Sequence, residues 1–318
     1  MLPRIVEVGS NNQHLKLYRG FMLVMHGDQE TGRVALNDMG ALIINSHGIT
    51  YSNDLVVALC QNNIPIVVNG SNHKPVGWLW PMEGNVIQAK RMDAQLNCSK
   101  PTKKRLWQQI VKAKINSQAS VLEALGLNAI PVSVMINKVK SGDTTNVEAQ
   151  AAQRYWKILF GHQFRRDRNE HGINALLNYG YTIIRSAVAR AVTAAGLHPT
   201  VSIAHKNKYN AFRLVDDLIE PFRSVVDHCV YLAAKEKDFI ELSPLIKEKL
   251  VNLLFHLVQG RRGTTSLVNA IHEVVNSLTS VYESPNEQLW LPIDFLLNDS
   301  KVSIDAKWSP SHVDITHL

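Results

Sequence analysis

The hydrophobic pattern changes period once along the chain. Up to about residue 82 the apolar residues come in short runs of strand length: Arg4-Ile-Val-Glu-Val8, Phe21-Met-Leu-Val-Met25 after a turn at Arg19-Gly20, Ala41-Leu-Ile-Ile-Asn45 and Ile64-Pro-Ile-Val-Val68. Gly, Asn and Ser punctuate them, as turn residues should. One helix interrupts the series, from Asn53 to Asn62, with Leu55, Ala58 and Leu59 on one face. Pro75 to Pro81 reads as a last edge strand. The pattern predicts a small, mostly antiparallel β-rich domain over residues 1–85.

From about residue 86 the spacing is helical. Ser99-Lys-Pro-Thr102 opens a helix with Pro in its first turn. Trp107, Ile110 and Val111 form its buried stripe, and Lys100, Lys103, Lys104, Arg105, Lys112 and Lys114 surround that stripe. Further helices are expected from Thr145 to Phe160, from Gly172 to Ala195 with a Gly196…Pro199 stop, and after Asn210 with a break at Pro221. Two more are expected from Pro244 to Val258 and from Thr264 to Tyr282. The predicted class is α+β: a β-rich domain (1–85), a larger all-helical domain (86–285), and a tail (286–318) without clear period, read as partly disordered.

Charge sharpens this division. The 318 residues carry a net charge of +7, yet residues 1–85 hold five basic and six acidic side chains, so the excess lies in the helical part. That favours an acidic partner such as nucleic acid, bound there. No acid occurs from Ala94 to Leu122, a run that fits either a solvated helix face or a phosphate contact. Three cysteines, an odd count with no zinc spacing, are expected to be reduced thiols. With no membrane-length apolar run and no signal-peptide pattern, a cytoplasmic protein is expected.

Familiar catalytic motifs are absent. There is no Gly-rich loop ending in Gly-Lys-Ser/Thr and no Gly-x-Ser-x-Gly elbow, and His272-Glu273 is followed by Asn276 where a zinc-binding helix needs its second His. Two clusters carry chemistry. Glu148 stands in the opening turn of a helix, near Ala149, Ala151 and Ala152. Thr145-x-x-Glu148 also fits a capping box, so Glu148 is either a cap or an available carboxylate. In the segment His205 to Arg223, Asp216 and Asp217 fall within one helical turn of Glu220. Like charges that close need compensation. Arg213 and Arg223 would supply it as surface pairs; a divalent cation would too, with His205 as nitrogen ligand, and that donor set suits Mg2+ or Mn2+ better than structural zinc.

The succession Asn146-x-Glu148-x-x-Ala151-Ala152-x-x-Tyr155, Leu177-Asn-Tyr-Gly-Tyr181, Ala195-Gly-Leu-His-Pro199, His205 and Asp217-Leu-Ile-Glu-Pro-Phe-Arg223 resembles the CRISPR-associated integrase family, the DNA-integrating subunit of the spacer-acquisition complex, over about residues 1–285. Its compactness and Pro-Phe-Arg look most like type II members. The resemblance implies that Glu148, His205 and Glu220 bind Mg2+ or Mn2+, and that Asp217 is a further acid of the catalytic site. It implies a homodimer formed through the β-rich domain, and a heterohexamer with a small ferredoxin-like adaptation partner, beside other type II adaptation proteins. It implies double-stranded DNA, both captured fragment and CRISPR repeat, as substrate. The basic side chains Lys103, Lys104, Arg105, Arg165, Arg166, Lys206 and Lys208 are candidate phosphate contacts. A stand-alone nuclease on branched or single-stranded DNA, and a non-catalytic DNA scaffold, are the competing readings.

Overall fold

The computed structural model describes residues 4–70, 75–79, 81, 87–167, 171–235 and 241–297. They divide into two compact units, with the boundary between Val86 and Ile87.

Among the described residues the first unit contains two four-stranded sheets, one α-helix and a short 3-10 turn, Leu36–Asp38. β1 (Arg4–Val8), β5 (Met39–Ile44), β7 (Ile66–Asn69) and β8 (Pro75–Leu79) lie side by side in that order. The second sheet runs β4 (Gln29–Ala35), β3 (Phe21–His26), β2 (His14–Tyr18), β6 (Thr50–Tyr51). The expectation of a mostly antiparallel domain is corrected here. β1–β5, β5–β7 and β2–β6 pair parallel, as many pairs as the antiparallel β2–β3, β3–β4 and β7–β8. The reason lies in β5: every one of its residues is buried. A strand covered on both faces reads as a continuous apolar run, and parallel neighbours need a crossover between them. Helix α1 (Asn53–Gln61) supplies it between β5 and β7, capped by Ser52, whose hydroxyl accepts from the Leu55 N–H. Leu55 and Leu59 join Val8, Leu15, Met22 and Leu42 in the core of this unit.

The second unit is mostly helical: α2 (Gln88–Leu96), α3 (Lys100–Ala124), α4 (Ile130–Ser133), α5 (Val147–Phe160), α6 (Ile173–Ala194), α7 (Arg213–Leu218), α8 (Arg223–Lys235), α9 (Pro244–Asn252) and α10 (Leu267–Glu283). One departure from the all-helical expectation is a hairpin, β9 (Leu257–Gly260) and β10 (Gly263–Ser266), joined by Arg261-Arg262. Gly260 and Gly263 frame a two-residue loop, and the β-branched Thr264 and Thr265 favour the return strand. The helix expected to reach Val258 therefore ends at Asn252.

Long α3 is central to this unit. Ser99 caps it, its hydroxyl accepting from the Thr102 N–H, and Leu106, Trp107, Ile110, Val111 and Ile115 are buried. Helices α6 and α8 approach closely because position 180 is glycine; a Cβ there would collide with Val226 Cγ1. The expected break at Pro221 is present as a single 3-10 turn, Glu220–Phe222, between α7 and α8. Part of the described tail packs on the helices, Leu289 and Phe295 being buried, while Asn286, Glu287, Gln288, Ile293 and Asp294 are exposed. Phe295 is buried edge-on against Phe222, and its carbonyl lies 2.6 Å from His256 Nε2. Residues beyond 297 lie outside the described residues.

Candidate active site

Three segments of the second unit bring the predicted residues together: α3, the start of α5, and the stretch from Ile203 through the 3-10 turn. Glu148 lies in the first turn of α5, and the capping-box alternative is overturned there. The helix begins at Val147, and the Asp143 carboxylate accepts from the N–H groups of Val147 and Glu148, at 2.8 and 3.0 Å. An anion at the helix N-terminus satisfies the free donors. The Glu148 side chain is thereby released, and its Oε1 meets Lys114 Nζ at 2.6 Å.

Glu220 reaches the same ammonium. Pro221 ends the α-helical hydrogen bonding, and the resulting turn presents a buried carboxylate with Oε2 at 2.6 Å from Lys114 Nζ and Oε1 at 3.0 Å from Arg223 Nε. Oε2 has the charge contact but no aligned hydrogen bond. Burial pushes the Glu220 carboxyl up; Arg223 and Lys114 outweigh it and hold the group at about 2. Burial likewise pulls Lys114 down, but Glu220 and Glu148 prevail and keep it above the ordinary lysine value.

His205 is fixed by Asp217. That carboxylate is fully buried and accepts from four donors: the N–H groups of Ile203 (2.6 Å), Ala204 (3.2 Å) and His205 (3.1 Å), and His205 Nδ1 (2.7 Å). The ring packs edge-on against Trp107, with centroids 5.7 Å apart. Its Nε2 makes no hydrogen bond among the described residues. The Asp217 bond raises the imidazole pKa against the opposing effect of burial. A histidine whose one nitrogen is held by a carboxylate offers the other in a set direction, as metal-bound histidines do. Asp217 is thus a positioning group, its oxygens spent on the 203–205 backbone and the ring.

The neighbouring charges sort out differently from simple surface pairs. Asp216 turns to Arg185, at 2.6 Å from Nε, and to Asn210; Arg213 donates to the Thr200 carbonyl; Arg223 is the partner of Glu220. Arg223 also lies 4.7 Å from the Tyr181 ring centroid. Behind it, the hydroxyls of Tyr155 and Tyr181 both donate to Asp227, whose carboxyl burial pushes up to about 7. Sequence reasoning missed this layer, although Tyr155 and Tyr181 stand in the motifs that carry the family resemblance. It also assigned Lys114 to the basic face. Counting from Trp107, Ile110 and Val111 puts position 114 on the same stripe, so the lysine enters the interior.

The basic candidates divide. Lys104, Arg105, Arg165, Lys206 and Lys208 are exposed, and Lys103 is half-buried. Arg105 donates to the Pro285 carbonyl. Arg166 is half-buried, donates to Asn174 (2.9 Å) and Asn178 (2.6 Å), and stacks on Tyr181, so it also has internal partners. Among the described residues no group of three or more His, Cys, Asp or Glu is close enough to hold an ion as it stands, since Glu148 and Glu220 close on Lys114 instead. No described helix is long and apolar enough to cross a membrane, and no disulfide joins the three cysteines.

The chain is 36% identical, over 286 residues covering 89% of it and 93% of the relative, to the CRISPR-associated endonuclease Cas1 of Neisseria meningitidis serogroup C. Among solved structures, a casposase bound to integration product aligns with a TM-score of 0.76 at 20% identity, covering 93% of this chain and 94% of that one. A chain of a Cas6-RT-Cas1–Cas2 complex aligns with a TM-score of 0.73 at 17% identity over 91% of this chain and 36% of its own length. Residues 6–243 match the family described as CRISPR associated protein Cas1, and the chain belongs to that family.

Proposed function

We propose that this protein is a metal-dependent DNA endonuclease and integrase that inserts captured DNA into a CRISPR array. The observation that carries the proposal is the convergence of Glu148 and Glu220 on one cation position, in the same site as an imidazole oriented by Asp217. Membership of the Cas1 family, and the likeness to an endonuclease at 36% identity, support the same reading.

Mg2+ or Mn2+ fits the donor set: two carboxylates, already sharing one cation, and an imidazole, with a buried Glu220 oxygen that lacks a hydrogen bond. Glu148, His205 and Glu220 are its ligands in this reading. A bound ion of this kind polarises a phosphate and neutralises developing charge. The chain's own groups do the rest. Asp217 holds the imidazole in one tautomer and orientation. Arg223 braces Glu220 from the side away from Lys114, because it binds the other oxygen. The 3′-hydroxyl of the captured strand gives up its proton to solvent as its oxygen attacks a phosphodiester of the repeat; one P–O bond forms, the opposite one breaks, and the departing 3′-oxygen takes up a proton. In the same reading residues 1–85 serve in self-association and a small ferredoxin-like partner joins two such dimers; the likeness to a chain of a complex that contains Cas2 supports only that there is a protein partner.

The exposed basic residues supply phosphate contacts. Lys206 and Lys208 follow His205 directly, with Tyr209 98% exposed beside them. Neutralising Lys104, Lys206 and Lys208 together is expected to weaken DNA binding and to reduce the slope of log affinity against log salt by about one for each phosphate no longer bound. Fluorescence titrations at several salt concentrations measure it. An unchanged slope would assign these side chains to an ordinary solvated surface.

The function itself is tested with a 3′-hydroxyl duplex donor and a supercoiled repeat-containing target, with and without Mn2+. Metal-dependent joined product is expected. Hydrolysis alone would make the protein a nuclease, and binding without either would make it a scaffold.

A further inference from the structure

We propose that Lys114 is the resident cation of this site, and that divalent-ion loading is an exchange in which its ammonium leaves both carboxylates. This rests on the divalent-ion reading of the site. Nζ lies 2.6 Å from Glu148 Oε1 and 2.6 Å from Glu220 Oε2, so one charge holds together two acids from separate elements. A hard divalent ion bound by those oxygens would sit at about 2.0–2.2 Å from them. The ammonium and the ion would then occupy nearly the same place, and like charges repel strongly in a buried site.

Of the two cations on Glu220, Lys114 is the one built to move. Arg223 is held by the other oxygen at 3.0 Å and by the Tyr181 ring at 4.7 Å. Among the described residues the Lys114 ammonium has no partner besides the two carboxylates, and its four-carbon stem gives it many rotamers. Its side chain keeps 12% of its surface exposed, which leaves an exit. Glu220 would retain Arg223 after the exchange, whereas Glu148 has Lys114 as its one ion-pair partner among the described residues and would depend on the arriving ion. The displaced ammonium remains within a side-chain length of the site, where a phosphate of bound DNA would receive it. The lysine therefore keeps the acids together in the absence of divalent ions and makes loading competitive.

The test is Mn2+ affinity of the full chain, measured by calorimetry or electron paramagnetic resonance, for wild type and Lys114→Met. The variant removes the charge but keeps the length. It is expected to bind Mn2+ on the order of tenfold more tightly, to melt at lower temperature without metal, and to gain more from Mn2+ than wild type does. Because the variant leaves two acids unpaired and risks misfolding, a second measurement uses wild type alone. Acylation of the Lys114 amine, read by mass spectrometry, should be low without Mn2+ and rise several-fold at saturation. Equal or weaker Mn2+ affinity in folded Lys114→Met, or amine labelling unchanged while Mn2+ is bound, would overturn the exchange and leave the metal site standing. Absence of Mn2+ binding in both proteins would overturn the metal reading and the exchange together.

Discussion

Glu148→Gln, His205→Ala and Glu220→Gln should each lower strand transfer by roughly three orders of magnitude or more, and the triple variant should be little worse than the worst single one. Groups that act as one unit are non-additive, because losing any member already disables the rest. Glutamine is chosen at position 220 for a structural reason. Glu220 is buried with Lys114 on one oxygen and Arg223 on the other. Truncation to alanine would also open a cavity and take away both oxygens that face the half-buried Lys114 and Arg223, a loss on the order of 3–5 kcal/mol that would confuse catalysis with folding, whereas glutamine keeps the volume and one acceptor oxygen. Glu148 is less buried, and His205 leaves Asp217 with three backbone donors when removed, so those variants should keep the fold. DNA affinity should persist in all three, since the exposed lysines themselves are unchanged. Single-turnover transfer rates, with thermal melting as the control, decide the matter. A single variant that keeps a near-normal rate in saturating Mn2+ would show that its side chain is not part of the site.

Asp217→Ala is expected to have the largest effect on stability, about 3–5 kcal/mol, because a fully buried carboxylate serving four donors is removed. Three backbone N–H groups would lose their acceptor at once. The segment 203–205 would lose its anchor and the imidazole its orientation, so transfer should fall even under conditions where the protein remains folded. Asp217→Asn keeps one acceptor oxygen and should recover part of the stability, though its amide hydrogens face donors. Urea unfolding of the two variants against wild type measures this. An alanine variant as stable as wild type would mean that the 203–205 segment is held by other contacts.

The division into a strand-rich part and a helical part was legible because the two periods differ: Leu42, Ile43 and Ile44 run continuously, whereas Trp107, Ile110 and Val111 recur with helical spacing. Strand direction was not legible, since an apolar run on β5 or β7 looks the same whichever way its neighbour points. The β9–β10 hairpin was hidden by the apolar residues from Leu250 to Leu257, which continue the helical pattern past its true end at Asn252. Pro221 did mark the break that presents Glu220, because a missing N–H has local consequences that sequence displays directly.

The site was half legible. Glu148, His205, Asp217 and Glu220 were found through their motifs, and the structure brings them into one region. Local rules alone misread Glu148, since Thr145 matches a capping box as well as Asp143 satisfies the donors in fact. Lys114 was counted among surface charges because a lysine normally signals solvent. Its place on the stripe of Trp107, Ile110 and Val111 was the available signal, and it required knowing that two acids wait on the other side.

Strand transfer through this site is measured by following joined product from a donor ending in a 3′-hydroxyl and from the same donor ending in a 2′,3′-dideoxynucleotide, with Mn2+ present. Joining is expected with the hydroxyl donor, none with the dideoxy donor, and none with either when His205 is replaced by alanine. Joined product from the dideoxy donor, or undiminished joining by the His205→Ala variant, would contradict it.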